Sequence, residues 1–297
     1  MSQPGQIGFG TGSLYAGADL SHSLTLVRAA IDAGITWIDT APLYGHGAAE
    51  RIVGEAIRGN RDELVLVSKA GILPTKMSIA YKFLGKAAAL AGKVPGGRAL
   101  IPPPAPLRPA FNVFAPEHVI ASVENSLMKL GTNRIDYLLL HEIDAATASD
   151  EALLNALDKL VAQGKVLAYG TATQIHETCA IAAGPHSGRF SLFQMPVTGE
   201  ELPAGNVVLH SLLGGTLRRL LDRLKTEEPL REAARGLGID PDKPNLACRL
   251  IAAELQRDGV RAVLFSTSRV ARLRELAEAR KMSPAEAEAG AQLMAHA

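Results

Sequence analysis

The sequence predicts a single parallel (β/α)8 barrel, and three observations predict it. Short, nearly all-apolar runs rich in β-formers recur along the chain, longer helix-periodic stretches alternate with them, and 297 residues hold eight such units. Near-continuous apolar runs mark strands covered on both faces, as in a parallel sheet. Regular alternation of strand and helix implies right-handed crossovers between parallel neighbours. An open, doubly wound sheet satisfies the same alternation; eight units in a chain of this length suit the closed form better.

In chain order, the strands fall at 7–10, 35–39, 64–68, 135–140, 166–169, 191–194, 207–210 and 262–265. Helical stripes fill the intervals. Ile120, Val123, Leu127 and Leu130 follow the helix start Pro116-Glu117, and Leu153, Leu157, Leu160 and Val161 make a second stripe. Leu246, Leu250, Ala253 and Leu255 outline another, and Leu273, Leu276 and Ala277 a shorter one. Ser283-Pro-Ala-Glu-Ala-Glu reads as a capped helix packed outside the barrel. Residues 72–116 break the rhythm. This stretch is rich in Pro and Gly, with Pro102-Pro-Pro-Ala-Pro106 and Pro109, and a short helix is expected over 79–90. A connection this long is unusual in a compact domain. Leaving the carboxyl end of the third strand, it reads as a substrate-side insertion in one domain spanning 1–297; an ordinary surface insertion is the alternative.

Composition sets the outer limits. Hydrophobic residues make up 47% and charged residues 21%, and 31 basic against 30 acidic residues leave a net charge of +1. That balance gives no electrostatic reason to expect nucleic acid or an anionic membrane as partner. Cys179 and Cys248 are too isolated to suggest a disulfide framework or a metal site. The start, MSQPGQIGFG, lacks the basic-then-apolar pattern of a leader, and no run approaches the ~20 apolar residues of a membrane span. A cytoplasmic protein acting on a small molecule is expected.

The polar residues that interrupt the apolar runs carry the chemistry. Asp39 ends the second strand and is followed by Thr-Ala-Pro-Leu-Tyr44; Lys69 ends the third; His141 ends the strand at 135–140. In a parallel barrel those ends converge on one face. A free tyrosine, with a pKa near ~10, is a poor acid at neutral pH, and a neighbouring ammonium group lowers that value. Lys69 would supply the charge, Asp39 would hold Lys69, and His141 would donate a hydrogen bond to a carbonyl oxygen. The plainer alternative is a structural Asp39–Lys69 ion pair with Tyr44 and His141 as ordinary rim residues.

The segments DTAPLYGHGAAERIVGEAI, LVLVSKAG and SLMKLGTNRIDYLLLHEID resemble the signatures of the aldo-keto reductases, and the resemblance runs from Gly8 to about Leu276. It implies a TIM barrel, a nicotinamide cofactor, no metal, Tyr44 as proton donor, Lys69 and Asp39 as its tuners, and His141 as the group that orients the carbonyl. On the cofactor side it implies Gly10 and Thr11 at the first strand's end, Thr173, and Gln194 on the nicotinamide amide. His210 stands where a tyrosine usually stacks on the ring, followed by Ser211. Ser266, Thr267, Ser268, Arg269, Arg272 and Glu275 lie where the family binds the adenosine phosphate. Arg269 and Arg272 would suit a 2′-phosphate, which favours NADP over NAD. Departures from the family pattern are Ala172, Thr173, His210 and Leu276, the last replacing an asparagine near adenine. The resemblance is nearer to the bacterial sugar and pyridoxal dehydrogenase branch than to the aldose reductases. It implies an oxidoreductase that interconverts a carbonyl (an aldehyde, ketone or sugar) with an alcohol. The alternative, motivated by those departures, is a barrel of the same fold that serves as a regulatory or binding protein.

Gly8-Phe-Gly-Thr-Gly12 lacks the third glycine of a dinucleotide loop and the helix that should follow it, and a metal-dependent hydrolase would want a His-X-His strand motif that is absent.

Overall fold

The computed structural model describes residues 5–14, 20–74, 109–197 and 201–295. Eight parallel strands close into a barrel in sequence order: β1 (Gln6–Gly10), β2 (Trp37–Asp39), β3 (Val65–Ala70), β4 (Ile135–His141), β5 (Val166–Ala172), β6 (Leu192–Pro196), β7 (Val207–His210) and β8 (Val260–Phe265), with β8 pairing back onto β1. The closed form is therefore the one adopted. The helices around it are α1 (Leu20–Asp32), α2 (Ala49–Ala56), α3 (Pro116–Leu130), α4 (Glu151–Ala162), α5 (Ile175–Ala182), α6 (Gly215–Arg223), α7 (Glu228–Gly236), α8 (Leu246–Leu255), α9 (Val270–Ala277) and α10 (Pro284–Met294).

Local chemistry sets the ends of several of these. Pro116 at the first turn of α3 lacks only an N–H that would have no intrahelical partner. Gly131 closes α3 in the left-handed region at φ 62°. Asp150 caps α4 by accepting from the Leu153 N–H at 2.8 Å. Ser283 and Glu286 form a capping box at the start of α10, where the sequence suggested a capped helix. The expected helix at 79–90, like most of the 72–116 stretch, lies outside the described residues. Its flanks are tied by an antiparallel bridge between Leu73 and Ala110.

Strand side chains alternate between two layers. One set faces the helices and joins the larger core, including Ile38, Leu66, Leu138, Leu140 and Phe9. The other fills the barrel with Trp37, Val67, Leu139, Ala172, Leu192, Val208, Ala262 and Leu264. Trp37 stacks on Tyr137, ring centroids 5.5 Å apart. Two residues further along the same strands, on the same interior face, come Asp39, Lys69, His141, Gln194, His210 and Ser266. The apolar plug is thus a floor, and the polar residues stand one step above it at the carboxyl mouth.

One close approach fixes how α2 sits against its neighbours. A Cβ added at Gly54 would lie 2.5 Å from the Leu130 carbonyl oxygen, so only glycine lets α2 meet the end of α3. Gly54→Ala is expected to lower stability by about 1–3 kcal/mol, measured as the shift in urea midpoint at unchanged m-value; an unchanged midpoint would mean that the two helices separate freely.

Candidate active site

The residues at the mouth are positioned by backbone that is itself paired. Tyr44 opens a single 3-10 turn, Tyr44–Gly47, with its N–H on the Ala41 carbonyl at 3.1 Å. Asp39, Lys69 and His141 are carried by β2, β3 and β4, whose ladders fix their heights. Lys69 is buried and donates to both Asp39 carboxylate oxygens, at 2.6 and 2.7 Å, and to the Thr40 carbonyl at 3.2 Å. Its Nζ lies 5.0 Å from the centre of the Tyr44 ring. The Tyr44 and His141 rings meet edge to face, 6.2 Å between centroids and 89° between planes. The four candidate catalytic residues therefore form one contiguous group.

The electrostatics differ from the simple expectation for Tyr44. Burial pushes the phenol above its ordinary value, and the Lys69 ammonium pulls against it without winning. For Lys69, burial works against the charge, but the Asp39 carboxylate and the Tyr44 phenol outweigh it and hold the ammonium above the usual lysine value. His141 is driven down to about 3, by burial first and then by the nearby Lys69 charge and His210. A neutral imidazole keeps one N–H to donate.

These groups line a cavity of about 400 Å³. Of the residues expected on the cofactor side, Gly10, Thr173, Gln194, His210, Ser211 and Ser266 share that wall with the catalytic four. Several already have protein partners. Gln194 donates its amide N–H to Asp39 at 3.0 Å, Ser266 donates its hydroxyl to the Gly10 carbonyl at 2.7 Å, and His210 Nδ1 meets the Ser211 hydroxyl at 2.8 Å. Burial lowers the His210 pKa, as at His141.

The remaining expected residues lie off this wall. Thr11 is buried behind it, with its hydroxyl unpartnered among the described residues. Thr267, Ser268 and Arg269 form the turn into α9, where Thr267 accepts from the Arg269 N–H at 3.2 Å. Arg272 and Glu275 pair with each other on α9. Leu276, at the position expected near adenine, is instead 1% exposed and belongs to the core.

Residues that sequence reasoning passed over complete the picture. Glu50, on α2 just after the Tyr44 turn, is fully buried; it accepts from Ser68 at 3.0 Å and pairs with Lys129 at 3.2 Å. Ser68 precedes Lys69 on β3, so Glu50 ties the Tyr44 segment to the lysine strand. Its place on the same helix face as Val53 and Gly54 was the available signal. Glu142, directly after His141, also lines the cavity and has a left-handed backbone at φ 58°. Among the described residues, no three His, Cys, Asp or Glu side chains gather in a metal-holding group, and no helix is long and apolar enough to cross a membrane.

A closed parallel barrel with an acid, a lysine, a tyrosine and a histidine joined at its carboxyl mouth defines a class, and comparison with known proteins agrees. The chain belongs to the aldo/keto reductase family, whose model matches residues 6–186. It is 30% identical over 236 residues to aldo-keto reductase YhdN of Bacillus subtilis, covering 75% of this chain but 62% of that protein's length. It is 28% identical over 317 residues to the D-threo-aldose 1-dehydrogenase of a Pseudomonas species, covering 92% and 88%. Pyridoxal 4-dehydrogenase of Microbacterium luteolum is 27% identical over 232 residues, covering 66% of this chain and 62% of that protein. Both of the latter lie in the branch that the motifs resemble. Among solved structures, an aldo/keto reductase of Klebsiella pneumoniae in complex with NADP and acetate superposes with a TM-score of 0.65 at 26% identity, covering 97% of this chain and 89% of that one. An aldo-keto reductase of Bacillus halodurans shares the fold at a TM-score of 0.68 and 20% identity, covering 97% and 91%.

Two outcomes follow from this geometry. The His141 ring resonances should stay constant from pH 8 to pH 5 in NMR spectra of the folded protein, because its pKa lies at about 3. The unfolded chain takes up that proton below ~6.5, so this residue withdraws stability as pH falls from there toward 3; a ring titrating near 6.5 would contradict the assignment. Lys129→Met should cost about 3 kcal/mol by leaving Glu50 buried and unpaired, and adding Glu50→Gln should restore part of it in urea titrations.

Proposed function

We propose that the protein is an NADP-preferring oxidoreductase that interconverts a small carbonyl compound with its alcohol at the mouth of the barrel. One observation carries the reading: the Tyr44 phenol, the buried Lys69–Asp39 pair and the neutral His141 share one cavity wall.

The donor set suits a nicotinamide nucleotide. Gln194 commits its N–H to Asp39 and so presents its carbonyl oxygen to a carboxamide, while Thr173 offers a hydroxyl beside it. His210 provides a flat neutral ring, smaller than the tyrosine more usual there. Gly214, which lines the cavity, is the N-cap of α6 and supplies no side-chain cap, leaving the helix's first N–H groups to phosphate oxygens. Arg269 is exposed, its guanidinium has no partner among the described residues, and α9 has no acid in its first turn. A 2′-phosphate suits that position. The NADP bound by the Klebsiella relative supports the same choice here.

When bound, the nicotinamide supplies or accepts the hydride. The chain's own part is the proton and the charge. His141 donates its N–H to the carbonyl oxygen and, being neutral, leaves proton delivery to Tyr44. Tyr44 delivers the proton as negative charge builds on that oxygen. Lys69 stabilises the phenolate that remains, and Asp39 and Gln194 keep Lys69 from turning away. In the alcohol-oxidising direction the same groups run in reverse. Burial that raises the phenol's pKa keeps it protonated and ready to donate; access of a substrate to the cavity then decides when it does.

Tyr44→Phe should lower carbonyl reduction at least ~100-fold while leaving NADPH affinity within about twofold, followed through the fluorescence of Trp37, the single tryptophan. Normal turnover by this variant would remove Tyr44 from the mechanism; failure of the parent protein to bind either nucleotide would instead favour a binding or regulatory barrel. Arg269→Ala should weaken NADPH about tenfold and NADH hardly at all, and equal losses would mean that Arg269 does not read the 2′-phosphate.

A further inference from the structure

Three side chains among the described walls of the cavity are formally charged: Asp39, Lys69 and Glu142. Asp39 and Lys69 cancel each other at 2.6 Å. His141 and His210 are both shifted toward the neutral form by burial. Glu142 is exposed to the cavity, and its carboxylate makes no hydrogen bond or ion pair among the described residues. Among the described residues, the cavity therefore carries one uncompensated negative charge, and that charge sits one residue beyond the group expected to hold the carbonyl.

Its placement is fixed by the backbone. Glu142 has a left-handed backbone at φ 58°, which an L-residue other than Gly, Asn or Asp rarely adopts. Its N–H is tied to the Ala172 carbonyl at 2.8 Å, and the following Ile143 is fully buried in the core. Held on both sides, the residue turns at the rim of the cavity instead of continuing β4 outward. The Tyr44 phenol registers the Glu142 charge, which contributes to holding its pKa up.

We propose that Glu142 is a specificity-determining residue that sorts carbonyl substrates by charge, favouring those that carry an ammonium group and disfavouring those that carry a carboxylate or phosphate. The proposal rests on the oxidoreductase reading above and names a substrate class for it. Glu142 lines the same cavity as Tyr44 and His141 and directly follows His141 in the chain, so a substrate whose carbonyl oxygen lies between those two rings comes within the field of its carboxylate. Among the described residues no other unpaired charged side chain lines this cavity, so the Glu142 carboxylate is the group that a charged substituent meets. Between a fixed and a mobile unit charge in a partly screened site, an effect of about tenfold in each direction is expected.

The test uses three para-substituted benzaldehydes: one bearing trimethylammonium, one bearing the isosteric but neutral tert-butyl group, and one bearing carboxylate. Values of kcat/KM with NADPH are taken relative to the tert-butyl compound, in the parent protein and in Glu142→Gln. Comparing the same ratio between the two proteins cancels the intrinsic reactivity of each aldehyde. In Glu142→Gln the cation-to-neutral ratio should fall about tenfold and the anion-to-neutral ratio rise about tenfold, both through KM, and both changes should shrink in high salt. Glu142→Gly, which relieves the left-handed backbone, should change the ratios in the same sense. Ratios that are the same in the parent and both variants would overturn the charge proposal alone. No turnover of the neutral aldehyde by parent protein that binds NADPH, or of any other carbonyl tried beside it, would overturn the oxidoreductase reading and this proposal with it.

Discussion

Lys69 is an ammonium group with 2% exposure inside a protein core, a state that taking an ion out of water makes very costly without compensation. The compensation is complete: two donors go to the Asp39 carboxylate and one to the Thr40 carbonyl, and Asp39 takes a further hydrogen bond from Gln194. Much of the site depends on this pair. It sets the field in which the Tyr44 phenol and the His141 imidazole sit, and it helps drive the histidine neutral. Buried ion pairs of this kind commonly add no more stability than a well-packed apolar pair would.

The geometry that makes the pair possible is the two-residue period of the strands. Trp37 and Asp39, Val67 and Lys69, Leu139 and His141, Leu192 and Gln194, Val208 and His210, and Leu264 and Ser266 are all separated by two positions. In each couple the first residue fills the barrel and the second reaches the cavity. The floor excludes water from below while the second row remains accessible from above. This is how charges with such short hydrogen bonds can lie next to a space of substrate size.

Much of this was legible in the sequence because it depends on period and position. Eight apolar runs gave eight strands, and the polar residue at the end of a run marked the mouth. The cofactor side was less legible. Whether Ser266 would serve a nucleotide or bond to Gly10, and whether Arg272 would face a phosphate or Glu275, depends on which partners the closed barrel brings within reach. Leu276, a departure from the family pattern, is buried in the core, as an apolar side chain at that position would be. At Tyr44 the lowering effect of the Lys69 charge can be read from spacing, whereas the depth of burial that outweighs it cannot. Glu50 and Glu142 are hard to read from sequence for different reasons: a lone acid in a helix reads as surface, and nothing in the residues around Glu142 announces its left-handed backbone.

The seam between β1 and β8 has a consequence for how the protein is made. Ser266 and Gly10, which bond across it, are 256 residues apart in the chain. On the ribosome, the first strand leaves the exit tunnel long before its second neighbour exists, and one of its edges stays unpaired through most of synthesis. Contacts of such long range form late and leave apolar edges exposed to other chains in the meantime. The cavity's Gly10 wall is thus among the last parts of the site to be assembled. Nascent chains stalled before residue 260 would carry Asp39, Lys69 and His141 and still lack a closed barrel around them.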